Sequence, residues 1–463
     1  MPLNDILHQP ISELARRIEN REISVAELTD AFLNRIDKIN NDLNIYITID
    51  RQGARKSAAS ADKDLAAGRY QGKLHGIPYT CKDLFYTSGL PTTGGSKVLE
   101  EWLPEHDAET VDRLNRAGSI LLGKANLHEF AYGATGENPH FGTTFNPLDP
   151  TRLAGGSSSG SAAAVASGTA TFALGTDTGG SVRSPAALCG VVGFKPTRGL
   201  ISTHGVIPYC WSLDHVGIFS RSVGDAAIIL STLTGNGTCG LPSVPVHEIR
   251  QTDRSDACLK DTRIGVPRNF FFDNVDSEIE TAVRGIIEHC RRSGATITDV
   301  STPDMSHTRT VSLTIQLPEM LSYHSRYLED KKALYGEDLR AGMAAGQFIL
   351  AEHYVRAKRM VANYRGQMDD LFRDVDLLIT PTCPIVAPKA GTVNITSGNR
   401  SEAVGNALTR FTSFFNMTGH PALTIPSGTH STGLPMGVQL IGRPFEEDAL
   451  LKRAAAVEAD LSK

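Results

Sequence analysis

Between Gly155 and Ser184 the chain reads GGSSSGSAAAVASGTATFALGTDTGGSVRS, two glycine- and serine-rich runs that bracket an alanine-rich helical pattern and a short apolar strand pattern. A flexible linker has no use for SAAAVASGTATFAL between its glycines, so this stretch is a folded unit ending in two tight loops. Consecutive glycines such as Gly179-Gly180 let backbone N–H groups converge on one point without obstruction by Cβ atoms. Such a nest suits an anion or a developing oxyanion. Gly accounts for 43 of 463 residues, above the roughly 7% that is usual, and the excess is concentrated rather than spread.

Three chemistries could use these loops. A phosphate cradle needs a Lys directly after its glycines, and the nearest Lys downstream of either run is Lys195, too far away to meet a phosphate there. A nucleophile elbow G-x-S-x-G is matched literally by Gly156-Ser157-Ser158-Ser159-Gly160, with Ser158 as the nucleophile. That elbow must follow a buried strand, and Pro147 and Pro150 interrupt the window where the strand would lie. The third chemistry joins both serine loops to an upstream lysine. In HGIPYTCKD, Lys82 ends the apolar run Ile77–Cys81, and a desolvated Lys loses basicity until it can act as a neutral base near pH 7. Ser181 follows the Thr178-Gly179-Gly180 nest.

Around this unit the pattern is α/β. The N-terminal part is helical, with ISELARRIEN followed by a capping box at Ser24 and Glu27 that opens a helix carrying Leu28, Phe32 and Ile36 on one face. From about Asn44, short β-rich runs (45–49, 119–122, 190–194) alternate with helical patterns at 109–117 and 222–233, which predicts a large mixed sheet flanked by helices on both faces, with the N-terminal helices packed over it. Strands are expected at 263–267, 295–300 and 375–380, helices at 277–292 and 344–372, and a strand, strand, helix ending from HPALTIPSG onward. The organisation expected is one domain over 1–463: an N-terminal helical region (1–70), a catalytic core (71–235), a polar connection (236–262), and a second half (263–463) completing the sheet and a substrate pocket.

Charge and cysteine usage exclude other classes. Lys plus Arg total 46 against 51 for Asp plus Glu, a net charge of −5, so no positive field holds a nucleic acid. The first twenty residues mix acids and bases without an apolar h-region, and Gly, Ser and Thr fill the long uncharged stretch 153–176. A cytoplasmic protein with no membrane association is expected. The seven cysteines (Cys81, Cys189, Cys210, Cys239, Cys258, Cys290, Cys383) form no C-x-x-C pair and read as reduced, mostly buried thiols. The 14 histidines show no metal-ligand spacing, so neither metal nor cofactor is expected.

The Lys82 segment, GGSSSGSAAAVASG from Gly155, GTDTGGSVRSPAALCGVVGFKPTRG from Gly175, SLDHVGIFSRSVGDAA from Ser212, and the C-terminal FFNMTGHPALTIPSG and GVQLIGRP together resemble the amidase signature family over nearly the whole chain. The resemblance implies that family's fold and a Ser-Ser-Lys relay: Ser181 as the nucleophile that forms an acyl-enzyme, Ser157 as a bridging serine after a cis peptide bond, and Lys82 as the base. It also implies an oxyanion hole from the N–H groups of Thr178, Gly179, Gly180 and Ser181, and an acyl pocket lined by the segment holding Tyr132 and Gly133. Ser159 and Ala154 depart from the frequent Gly and Pro at those positions, but both are small and neither touches the triad. Asp177 and Arg183 are read as a buried pair that shapes the nucleophile loop, and His128, His140 and His215 as structural hydrogen-bonders.

The activity implied is hydrolysis of a carboxamide to an acid plus ammonia or an amine. With no charged residue evident in the pocket wall, a small neutral aliphatic or aryl amide is expected, met by a protein with no macromolecular partner other than a second copy in a homodimer. The wall is expected from Tyr132 and parts of 300–390, with Trp211, Phe348 and Tyr354 as aromatic candidates. Carbamate or urea-type cleavage in the same family is one alternative. Another is the glutamine-hydrolysing component of an aminoacyl-tRNA amidotransferase, against which stands LEDKKALYGEDLRAGM at 328–343 in place of a D-G-x-R-Y-G pattern. A non-catalytic binding member is disfavoured because Lys82, Ser157 and Ser181 are all present.

Overall fold

Local signals near the N-terminus do what their spacing predicts. In the computed structural model, which describes residues 6–234 and 258–461, Ile11–Glu19 and Val25–Leu43 are α-helices. The Ser24 hydroxyl accepts from the Glu27 N–H at 3.1 Å and the Glu27 carboxylate accepts from the Ser24 N–H at 3.0 Å, closing the capping box. Leu28, Phe32 and Ile36 are fully buried. The expected polar connection at 236–262 lies outside the described residues except for 258–262, as does Cys239.

The strands run in chain order as β1 (Tyr46–Ile49), β2 (Pro78–Lys82), β3 (Ile120–Ala125), β4 (Phe145–Asn146), β5 (Asp149–Leu153), β6 (Phe172–Thr176), β7 (Val192–Lys195), β8 (Val216–Ser220), β9 (Arg263–Pro267), β10 (Thr296–Val300), β11 (Leu377–Pro381), β12 (Asn394–Ser397), β13 (Arg400–Ala403), β14 (Ala422–Thr429) and β15 (Pro435–Ile441). Eleven of them form one sheet in the order β1-β3-β2-β6-β8-β7-β14-β15-β11-β9-β10. Strands β3, β2 and β6 are mutually parallel, as are β11, β9 and β10; the strands between them pair antiparallel, so the sheet is mixed. Pairing of β14 with β7, Leu423 opposite Phe194, joins the two halves of the chain in one ladder.

Both faces of the sheet are covered, which follows from the period-2 alternation of a strand. On β11, Leu377 and Ile379 belong to one apolar cluster and Leu378 to another; on β15, Val438 and Leu440 divide from Ile441 in the same way. The first cluster is packed by the helices Val25–Leu43, Ser159–Ala166, Val223–Leu233, Ser277–Arg292 and Glu447–Leu461, and the second by Thr308–His324, Ala351–Asp374 and Ser413–Thr418. The single long helix expected at 344–372 is two, Glu337–Gly346 and Ala351–Asp374, with Leu350 in extended backbone between them. Gly346 makes the close approach at this corner: a Cβ there would lie 2.7 Å from the Leu317 carbonyl.

Candidate active site

Two parallel neighbours in the sheet deliver the first two parts of the site. Strand β2 ends at Lys82, β6 ends at Thr176, and the loop before the helix Ser159–Ala166 crosses between them. Lys82 and Ser157 are both fully buried, and the Lys82 Nζ donates to Ser157 Oγ at 2.7 Å and to Thr176 Oγ1 at 2.8 Å. Burial pushes the Lys82 amine down to about 7, against the opposing pull of the Asp214 and Asp177 carboxylates. The Gly156–Ser157 peptide bond is cis, the only such bond among the described residues. Glycine at 156 answers to space, because a Cβ there would lie 2.7 Å from the Gly136 nitrogen.

Ser158, the literal elbow serine, is turned away from this chemistry. Its hydroxyl donates to the Thr176 carbonyl at 3.1 Å and accepts from the Thr176 N–H at 3.3 Å, clamping the two loops together. What precedes it is the small hairpin β4–β5, which is separate from the main sheet.

The second loop is built around one carboxylate. Asp177 accepts from the N–H groups of Gly180 at 2.8 Å, Val182 at 3.1 Å and Arg183 at 3.3 Å, from the Arg183 guanidinium at 2.9 and 3.0 Å, and from Asn416 at 2.8 Å. Burial alone would raise the Asp177 carboxyl, but the Arg183 guanidinium outweighs it and holds the group below the ordinary range. The pair is therefore the shaping element expected of it. One expectation changes: the Gly180 N–H is taken by Asp177, which leaves the N–H groups of Thr178, Gly179 and Ser181 with no acceptor among the described residues. Gly180 is a glycine for another reason, since its φ is +134° and a Cβ would fall 2.0 Å from Thr412 Oγ1.

Ser181, 7% exposed, opens onto a cavity of about 890 Å³. Thr178, Gly179, Tyr132, Gly133 and His128 line its near wall. Tyr132 packs its ring 5.8 Å from that of Tyr209, and Gly133, at φ +148°, leaves room for the His128 ring, which a Cβ would meet at 2.4 Å. The Thr178 hydroxyl donates to Asp214 at 2.5 Å; burial pushes the Asp214 carboxyl up to about 6 despite that bond. Burial also pushes His128 down to about 4. His140 pairs with Glu129 at 2.9 Å, and His215 Nδ1 lies 2.7 Å from the Leu213 carbonyl.

The far wall comes in part from the expected range 300–390, through Thr308–His324 and Glu337–Gly346, and in part from the segment 391–410 beyond it, and it carries charge: Arg309, Asp338, Arg400, Glu402 and Arg410. Trp211 and Phe348, 76% and 80% exposed, sit on the outer surface, and Tyr354 donates to Glu319 at 2.7 Å outside the cavity lining. Arg309, Ser312 and Gln316 recur at helical spacing on one face, the only signal in the sequence that could have grouped them. Elsewhere, five of the cysteines are buried, Cys258 is exposed, and no group of three potential metal ligands is found among the described residues. No helix among those residues is long and apolar enough to cross a membrane.

This arrangement can be compared with known proteins. The profile of the family described as Amidase matches residues 27–451. The chain belongs to the amidase signature family. It is 37% identical over 494 residues to the A component of the glutamyl-tRNA(Gln) amidotransferase from Anaeromyxobacter sp. (strain K), covering 99% of this chain and 98% of the relative. The corresponding component from Carboxydothermus hydrogenoformans is 35% identical, with 98% and 97% covered. Among solved amidase-fold structures, peptide amidase from Stenotrophomonas maltophilia superposes with a TM-score of 0.86 at 30% identity, covering 98% and 97% of the two chains. The 6-aminohexanoate cyclic dimer hydrolase gives 0.88 at 30% identity, covering 99% and 98%. A chain from a vestigial protein complex bearing on the origins of an s-triazine catabolic enzyme gives 0.92 at 32%, covering 98% of each. The mixed eleven-stranded sheet is thus the amidase signature fold, in a family of enzymes that act on carbon–nitrogen bonds.

Proposed function

We propose that the protein hydrolyses an amide through a Ser181 acyl-enzyme, with Ser157 and Lys82 as the proton relay. The observation that carries this reading is the fully buried Lys82 amine, held near neutrality and bonded to Ser157 at 2.7 Å. Neutral Lys82 takes the Ser157 proton while Ser157 takes that of Ser181, whose Oγ forms a bond to the substrate carbonyl carbon. The oxyanion is met by the N–H groups of Thr178, Gly179 and Ser181. The relay then reverses: the C–N bond breaks and the nitrogen leaves with the proton. A water repeats the cycle, forming the acid and restoring Ser181. In this reading 71–235 supplies the relay and 263–463 completes the sheet and the far wall.

Two amides compete. The curated relatives, similar over nearly their whole length, carry a name that supports glutamine as the substrate and further amidotransferase components as partners. The solved relatives with amidase and hydrolase names support an enzyme acting on its own substrate, and the 328–343 segment departs from the amidotransferase pattern. The expectation of a neutral substrate loses its ground, because the wall does carry charge. Ammonia release from glutamine, acetamides, aryl amides, carbamates and ureas, each with and without the other amidotransferase components and tRNA, separates the readings. Partner-dependent glutaminase activity alone selects the amidotransferase, and no turnover of any member together with no fluorophosphonate adduct on Ser181 rejects amide hydrolysis.

A further inference from the structure

The charges of the cavity are not balanced locally. In its wall, Arg400 and Arg410 share a single carboxylate, Glu402, whose field also reaches Arg309 beside Tyr132 and Tyr209. Arg410 is committed: it pairs with Glu402 at 2.8 Å and donates to the Asn274 carbonyl at 2.7 Å. Arg400 reaches the same Glu402 oxygen at 3.2 Å. Arg309 has no hydrogen bond or ion pair within reach among the described residues, although it lines the cavity that holds Ser181. Of the other carboxylates of the wall, Glu137 accepts from the Gly391 N–H at 2.8 Å, and Asp338 acts on His128 and, like Arg309, on Tyr132, without pairing with Arg309.

Two guanidiniums already share Glu402, so the third, Arg309, faces the cavity with no carboxylate of its own, and a planar guanidinium with all its donors unspent is the group best suited to a carboxylate. Ligand pockets fix the orientation of a small molecule by a few such placed polar groups. We propose that the substrate is a small amide bearing a carboxylate, held by Arg309 in the cavity wall while its amide carbon lies at Ser181. This rests on the amide-hydrolase reading and adds the chemical class of its substrate.

The test compares the monoamides of succinic, glutaric and adipic acids with butanamide, pentanamide and hexanamide. At least one monoamide is expected to show a kcat/KM at least tenfold above that of its uncharged counterpart, chiefly through KM. Arg309→Gln is expected to lower that ratio at least tenfold and Arg309→Lys to restore part of it, with thermal unfolding midpoints confirming that each variant folds. A wild-type ratio near one, or an Arg309→Gln loss equal on both substrates, overturns the proposal. A second readout needs no turnover: glutarate should slow labelling of Ser181 by a fluorophosphonate in wild type and do so less in Arg309→Gln. Labelling that misses Ser181 sinks the amide-hydrolase reading itself. Labelling at Ser181 that no dicarboxylate slows sinks only the carboxylate inference.

Discussion

Lys82 and Ser157, 75 positions apart in the chain, share a 2.7 Å hydrogen bond in a setting where neither side chain reaches solvent. A charged ammonium there would lose its hydration with only distant carboxylates to compensate, so burial favours the neutral amine. The neutral amine can take a proton from a serine, and the ammonium cannot.

Activity should therefore follow the ionisation of Lys82. With its amine near 7, kcat/KM should fall about tenfold per unit as pH drops below that value and level off above it, measured with chemistry rate-limiting. A flat profile from pH 5 to 9 removes Lys82 as the base. The same depression has a stability consequence of fixed sign. Between about 7 and the ordinary 10.5, the unfolded chain binds a proton that the folded one does not, so this group's contribution to stability rises with pH across that window. Asp214 favours the ammonium, so Asp214→Asn should move the acid limb of the rate profile to lower pH.

The three serines should separate cleanly. Ser181→Ala is expected to abolish the covalent adduct with a fluorophosphonate, and Ser157→Ala to leave Ser181 in place but cut the rate by about 10²–10⁴-fold, the usual worth of positioned proton transfer. Ser158→Ala removes only the clamp on Thr176 and should cost about 1 kcal/mol of stability with the adduct still on Ser181. Intact and peptide mass spectrometry read all three; an adduct on Ser158 would reverse the assignment.

Lys82, Ser157, Ser181 and the Asp177–Arg183 pair were legible because each sits in a local pattern with few physical uses: a lysine ending a buried strand, or small residues around a serine. The far wall was not. Arg309 and Asp338 lie on amphipathic helices, where a charge facing a cavity and a charge facing solvent leave the same pattern in sequence. Trp211 and Phe348, whose orientation the sequence does not decide, sit on the outer surface. The commitment of the Gly180 N–H to Asp177 depends on how the loop folds around one side chain, which composition does not report.

The two glycines before Ser181 should respond differently to a methyl group. At Gly180 a Cβ would be 2.0 Å from Thr412 Oγ1, in a backbone region that non-glycine residues avoid, so Gly180→Ala should cost at least about 1–3 kcal/mol and most of the activity. At Gly179 the nearest atom to a new Cβ is that of Ser413, at 3.8 Å, so Gly179→Ala should fold like the wild type. Denaturant midpoints for the two variants decide the matter, and equal midpoints would contradict it.

Arg183 tests what holds the Ser181 loop. Its guanidinium, fully buried, bonds Asp177 twice and also reaches the Thr412 carbonyl at 2.9 Å, Gln439 at 2.7 Å and Asn416 at 2.6 Å, tying the loop to the C-terminal half of the sheet. Arg183→Met would strand the Asp177 carboxylate without its countercharge, and breaking a buried pair from one side costs about 3–5 kcal/mol. Asp177 also holds the N–H groups of Gly180 and Val182 on either side of Ser181, so any reorientation of that carboxylate moves Ser181. Urea unfolding should show the loss. Adding Asp177→Asn to Arg183→Met should recover part of the stability, because the second change removes the stranded charge, but should leave activity low, because the amide cannot accept all the bonds that shaped the loop. A double variant no more stable than Arg183→Met alone would mean that the cost lies in the broken ties to Thr412, Gln439 and Asn416 rather than in the unpaired carboxylate.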